Sequence, residues 1–72
     1  MISDKNKIQL IHFIDDIKEV FASKISSIDD MKLNNLRKKY IYKDISKVEF
    51  IEDVKYLKKV DEDAKWSYYY NN

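Results

Sequence analysis

Glycine, proline and cysteine are all missing from this chain of 72 residues. Hairpin turns and β-bulges draw on glycine because they need positive φ angles, so the absence of glycine argues against a β protein. Since no proline interrupts a helix either, the sequence predicts an all-α fold with short polar connections. We expect one helical domain over residues 1–72.

The same absences exclude several kinds of chemistry. Without cysteine the chain forms neither disulfides nor thiolate metal sites. Phosphate-cradling loops, nucleophile elbows and dinucleotide fingerprints all depend on glycine. We therefore expect a protein that is not an enzyme and that carries no cofactor.

Histidine is scarce, with His12 as its one occurrence. His12, Asp16 and Glu19 have the i, i+4, i+7 spacing that can offer three ligands to a metal on one helix face. No second histidine and no E-x-x-H pattern accompanies them, so we expect surface salt bridges and no metal site.

Long apolar runs and a strong net charge are missing too. No apolar run approaches about 18 residues, and the N-terminus lacks a basic region followed by an apolar core, so we expect no membrane span, no signal peptide and a cytoplasmic location. A net charge of +1 with 38% charged residues gives no bulk attraction to nucleic acid or membrane.

The clearest helix signal lies in the last third of the chain. Ser46 and Glu49 have capping-box spacing, and Ile45 and Phe50 flank them as a hydrophobic staple. A stripe then recurs at steps of four and three residues, which predicts a helix over about 47–67 that packs along another helix. The stripe comprises Phe50, Val54, Leu57, Asp61, Ala64 and Tyr68, and is widened by Ile51 and Val60.

A first helix is expected over about 4–25, capped by Ser3 or Asp4. Its apolar residues fill about half of the helix circumference, which indicates more than one packing neighbour. These residues are Leu10, Ile11, Phe13, Ile14, Ile17, Val20, Phe21 and Ile25.

A second helix is expected over about 28–41, capped by Ser27 and marked by a stripe of Leu33, Leu36 and Tyr40. Two alternatives stay open at its ends. The break near residues 24–27 is also compatible with a kink in one longer helix, and residues 40–45 with a short strand.

Three short helices make a small core. A chain of this length buries only about 60% of the surface that its unfolded form exposes. Cores below about 70–80 residues seldom give more than about 3–5 kcal/mol of stability. We therefore expect a homodimer, or another protein, to complete the bundle.

Four aromatic residues, Trp66, Tyr68, Tyr69 and Tyr70, fall within five positions near the C-terminus. Tryptophan and tyrosine are enriched at binding hot spots, so these side chains are candidates for a partner-binding surface. The alternative is that they fold back over the first helix and enlarge the core. Asp61 interrupts the apolar stripe, either as a carboxylate that meets a partner or as an exposed acid.

A basic segment offers a different hypothesis, since residues 36–47 carry five basic residues and one acid. Phosphate contacts with base stacking would use Arg37, Lys38, Lys39, Tyr40, Tyr42, Lys43 and Lys47. Residues 48–63 hold six acids and three lysines, however. The simpler interpretation is therefore a solvated helix end whose cations suit the helix dipole.

These observations favour a non-enzymatic module that binds another protein as a stoichiometric inhibitor or regulator. In size and composition it compares with antitoxins, immunity proteins and phage-encoded inhibitors. Thirteen lysines against one arginine, with many isoleucines, suggest an AT-rich source such as a phage or mobile element. A small helical DNA- or RNA-binding regulator is the first alternative, and a structural assembly subunit the second.

Overall fold

A computed structural model describes residues 1–70 of the chain and shows a small all-α bundle of three helices. The helices are α1 (Asp4–Val20), α2 (Ser27–Tyr42) and α3 (Lys47–Tyr70), with a 3-10 turn at Ala22–Lys24 between α1 and α2. Within residues 1–70 there is no β-strand. The predicted fold class is confirmed; the last two positions of the predicted domain lie outside the described residues.

Serine side chains begin all three helices, because each hydroxyl accepts a backbone N–H that the first helical turn leaves unpaired. The backbone N–H of Asn6 donates to Ser3 at 3.2 Å, that of Asp29 to Ser26 at 3.1 Å, and that of Glu49 to Ser46 at 3.2 Å. The predicted cap Ser27 is wrong by one position. Ser26 has the extended backbone of a cap, with ψ of 157°, and Ser27 is already helical.

The helix boundaries differ from the predicted ones mainly at the end of α1. That helix stops at Val20, five residues early, and the chain tightens into a 3-10 turn in which the N–H of Lys24 donates to the carbonyl of Phe21 at 2.8 Å. Two separate helices therefore replace the hypothesis of one kinked helix. The hypothesis of a strand over 40–45 is also wrong, since α2 continues through Tyr42.

The core forms where the three helices meet. Its buried members are Leu10, Ile14, Ile17, Leu33, Leu36, Tyr40, Ile45, Leu57 and Val60. The predicted stripe of α2 is confirmed as buried throughout. Val20 and Ile51, assigned to the inward stripes of the first and third helices, are instead 63% and 52% exposed. Each stripe was wider in sequence than the neighbouring helices can cover.

Polar contacts fix how the helices lie against one another. The N–H of Ile2 donates to the carbonyl of Ile45 at 3.0 Å, which ties the N-terminus to the connection between α2 and α3. Arg37 pairs with Asp15 at 2.8 Å, so α2 runs back along α1.

The longest helix, α3, has 24 residues against 17 in α1, and the molecule measures 40 × 18 × 17 Å. One side of α3 is left uncovered by the other helices, whereas Ala64 and Tyr68 pack its last turns against the bundle. Among the described residues, none of the helices combines the length and apolarity needed to cross a bilayer.

Candidate protein-binding surface on α3

The last turns of α3 carry a cluster of exposed aromatic side chains on the side that faces solvent. Trp66 and Tyr70 lie one turn apart, and their rings stack with centroids 4.6 Å apart and planes 19° from parallel. Trp66 is 56% exposed, Tyr69 73% and Tyr70 71%. Together with Glu62 and Lys65 they line an open groove, and we call these five residues the aromatic surface.

The opposite side of the same helical segment holds the aromatic surface in place. Leu57, Val60 and Ala64 are buried against the bundle, so this stretch of α3 is anchored by its apolar face. Lys65 forms an ion pair with Asp61 at 2.9 Å, one turn earlier on the helix. The hydrogen bond and the nearby charge of Asp61 raise the pKa of Lys65. The surface is thus built on a regular, packed helix.

Tyr68 differs from its aromatic neighbours because its ring meets Phe21 at the end of α1. The two ring centroids are 6.1 Å apart in an edge-to-face arrangement, and Phe21 is buried. Tyr68 also contacts Tyr69, with centroids 5.5 Å apart and planes at 90°. Of the two roles left open by the sequence, Tyr68 helps to cover α1 although it is still 43% exposed, whereas Trp66, Tyr69 and Tyr70 are more than half exposed.

Asp61 lies between the buried and exposed faces of α3. Its side chain is 20% exposed and forms an ion pair with Lys65, whereas the adjacent Glu62 and Asp63 are exposed. The structure therefore shows Asp61 neither as a freely exposed acid nor as an unpaired carboxylate. It fixes the position of Lys65 at the edge of the aromatic surface.

Three residues of the basic segment take part in contacts inside the bundle. Tyr40 is 1% exposed, and its hydroxyl donates to Asp53 at 2.7 Å. Burial, followed by this hydrogen bond, raises the pKa of Tyr40. Lys39 lies 2.8 Å from Asp53 and 2.9 Å from Glu49. Although burial works to lower the pKa of Lys39, its hydrogen bonds to these two carboxylates raise it.

Arg37 is the third of these residues. Its guanidinium pairs with Asp15 of α1, and the hydrogen bond to that carboxylate raises the pKa of Arg37. The ion pair joins α2 to α1 at the surface of the bundle, so the positive charge of the one arginine in the basic segment is balanced by the carboxylate of Asp15.

The other four residues of the basic segment, Lys38, Tyr42, Lys43 and Lys47, are exposed. Tyr42 is 81% exposed and lies beside Lys38 and Lys43 along a shallow groove on α2. The fold thus divides the seven residues into three structural ones and four solvent-facing ones.

His12, Asp16 and Glu19 lie on α1, the helix predicted to carry them. Among residues 1–70, no group of three histidine, cysteine or acidic side chains lies close enough together to hold a metal ion.

The sequence interpretation missed Glu62 and Lys65 as members of the aromatic surface. Each precedes an exposed aromatic residue by four positions, Glu62 before Trp66 and Lys65 before Tyr69, and residues at that spacing are neighbours on a helix surface. It also missed the exposure of Val48, which is 73% exposed at the start of α3.

The fold and its surface define a small three-helix protein that presents aromatic residues from one long helix. Comparison with known proteins finds no family model, no curated protein and no solved structure that matches this chain.

Proposed function

We propose that the chain is a non-enzymatic protein-binding module that acts in the cytoplasm as a stoichiometric inhibitor or regulator. The observation that carries this proposal is the stacked Trp66–Tyr70 pair, which stands exposed on a well-packed helix beside the exposed Tyr69. A buried aromatic pair would have served the core, whereas this one is left for an external contact.

The energetics of recognition support the same proposal. Tryptophan and tyrosine supply large contact areas with few rotatable bonds, and they dominate binding hot spots. Because Trp66 and Tyr70 already hold each other in place, little side-chain entropy is lost on binding. Glu62 and Lys65 supply charges of both signs at the rim, where polar contacts give orientation and specificity.

Excess apolar surface is a second supporting feature. Among the described residues, more large apolar side chains are exposed than buried. Scattered exposed apolar residues are normal, but three large aromatic side chains around one groove are the kind of patch found at interaction sites.

A cross-linking experiment in the source cell tests this proposal. A photoreactive amino acid replaces Lys65 at the rim of the aromatic surface, and in a matched variant it replaces Glu19 on the polar side of α1. We expect a discrete adduct with another protein from position 65 and none from position 19. The adduct is expected to disappear when Trp66→Ala and Tyr70→Ala are added, while circular dichroism shows unchanged helix content.

Two results would contradict the proposal. One is equal labelling from positions 65 and 19, and the other is an adduct at position 65 that survives the removal of both aromatic rings.

The exposed Tyr42 favours nucleic-acid binding as the second candidate function, because a tyrosine beside Lys38 and Lys43 suits stacking and phosphate contacts. Internal use of Arg37, Lys39 and Tyr40 weakens this candidate. It predicts that binding to random single-stranded or duplex oligonucleotides falls steeply as salt rises and is lost in Tyr42→Ala. Negligible binding at low salt would eliminate it.

A further inference from the structure

Two adjacent blocks of opposite charge lie on the solvent side of α3. Lys58 and Lys59 form the first block, and Glu62 and Asp63 form the second, one turn later. All four side chains are exposed. We call them the paired charge blocks, and they lie between the exposed Ile51 and the exposed Trp66.

The charges of these blocks are available for an external contact. Within residues 1–70, none of Lys58, Lys59, Glu62 and Asp63 takes part in an ion pair of 4.0 Å or less. Lysine and acid four residues apart can pair along a helix, as Lys65 and Asp61 do at 2.9 Å. The paired charge blocks have the same spacing, but they extend into solvent.

A basic block followed by an acidic block complements itself when two identical helices run in opposite directions. We propose that this side of α3 binds a second copy of the chain, with the two α3 helices antiparallel and a two-fold axis between positions 60 and 61. Residues on the same flank of the helix then meet, so Lys58 lies beside Glu62 of the second copy, and Lys59 beside Asp63. Because the interface is two-fold symmetric, each contact occurs twice.

The same two-fold axis also brings the two ends of this exposed face opposite each other. Positions that sum to about 121 face each other, so Lys55 lies against Trp66 of the second copy, which favours a cation–π contact. Ile51 similarly lies against Tyr69 of the second copy. From Ile51 to Tyr70 the contact would extend roughly 28 Å along the helix, at about 1.5 Å per residue.

Charge alone selects the antiparallel arrangement. In a parallel pair Lys58 and Lys59 would face their own copies, as would Glu62 and Asp63, and like charges across an interface are unfavourable. This inference rests on the proposed function, because it assigns an occupant to the surface that contains Trp66. A different protein partner and the second copy therefore compete for that surface.

Analytical ultracentrifugation of the purified full chain tests the pairing through charge reversal. We expect the wild type to show a reversible monomer–dimer equilibrium. Two variants, Lys58→Glu with Lys59→Glu and Glu62→Lys with Asp63→Lys, should each lose self-association by at least about tenfold in Kd, because every cross-pair becomes repulsive. An equimolar mixture of the two variants should form a heterodimer, since its cross-pairs are attractive again.

Circular dichroism would reveal a variant that fails to fold. In that case a single chain that carries all four charge reversals replaces the mixture, and it should dimerise like the wild type. The inference is overturned if the wild type remains monomeric at every concentration, if the reversed variants dimerise as the wild type does, or if the mixture stays monomeric.

Failure of this inference and failure of the proposed function give different results. If the wild type is monomeric and still yields a Trp66-dependent adduct with another protein, the proposed dimer is ruled out and the proposed function stands. If the wild type is dimeric and its only adduct in the cell has twice the mass of the chain, binding to a different protein is ruled out and the dimer stands.

Discussion

Both faces of α3 carry large apolar side chains, and these side chains differ in exposure. On the inner face Leu57 is fully buried and Val60 nearly so, whereas on the outer face Ile51 and Trp66 are more than half exposed. In a bundle of three helices each helix has neighbours on one side only. The comparison shows that the inner face of α3 serves the fold, and that its outer face is free to serve recognition.

Asp53 marks the boundary between these two faces. Its side chain is 17% exposed and accepts hydrogen bonds from Tyr40 at 2.7 Å and from Lys39 at 2.8 Å, both of α2. The polar contact joins α2 to α3 above the apolar core. It also explains how a buried tyrosine hydroxyl is satisfied, since a buried hydroxyl without a partner would destabilise the fold.

The strongest test of the comparison is a matched pair of truncations on α3. Leu57→Ala removes a fully buried side chain and should lower the free energy of unfolding by about 2–5 kcal/mol, enough to unfold a domain this small. At a concentration at which the chain is monomeric, Ile51→Ala on the outer face should change it by only about 0.5 kcal/mol. Urea denaturation followed by circular dichroism measures both. Equal losses would show that the outer face is buried in solution.

A second pair of substitutions compares the boundary of the helix with its exposed side. Asp53→Ala leaves the buried hydroxyl of Tyr40 without its acceptor and should cost about 1–3 kcal/mol of unfolding free energy. The neighbouring Glu52→Ala removes an exposed carboxylate that lies 3.8 Å from Lys55 and should have almost no effect. The same denaturation experiment measures both variants. A loss of unfolding free energy in Asp53→Ala as small as that in Glu52→Ala would show that water replaces the lost contact.

Alkaline pH gives the smallest and most specific effect. Burial, with the hydrogen bond that Tyr56 donates to Asp29 at 2.9 Å, raises the pKa of Tyr56 from 10.0 to about 12. The folded state therefore favours the neutral phenol. Its contribution to stability is complete below pH 10 and is lost as the pH rises from 10 towards 12.

Phenolate absorbance measured together with helix content checks this pH dependence. Tyr56→Phe should reduce the loss of stability above about pH 10 without abolishing it, because burial and the hydrogen bond to Asp53 also raise the pKa of Tyr40. A profile insensitive to Tyr56→Phe would contradict the proposed role of the Asp29 contact.

Local signals predicted most of the fold. The absence of glycine and proline indicated helices, and serines before acidic first turns located where they start to within one residue. The stripe of Leu33, Leu36 and Tyr40 identified the inward side of α2 correctly. Such features depend on residues within a turn or two of each other, so they are visible in the sequence.

The composition of the candidate surface was less visible. The sequence placed Tyr68 both in the inward stripe of the third helix and among the C-terminal aromatic residues, and in the structure it packs on Phe21, at the end of α1. It likewise grouped Tyr40 with Tyr42, although one is buried on Asp53 and the other is exposed. The apolar stripes already placed Tyr40 and Tyr68 on inward faces. Their partners, Asp53 and Phe21, depend on contacts between helices, which no local pattern records.

By itself the sequence determined that this chain forms three helices, because propensity, capping and apolar spacing act over a few residues. The tertiary structure alone decided which aromatic and charged side chains remain available to a partner. Exposure depends on which neighbour covers each helix face, and that is settled only when α1, α2 and α3 pack together.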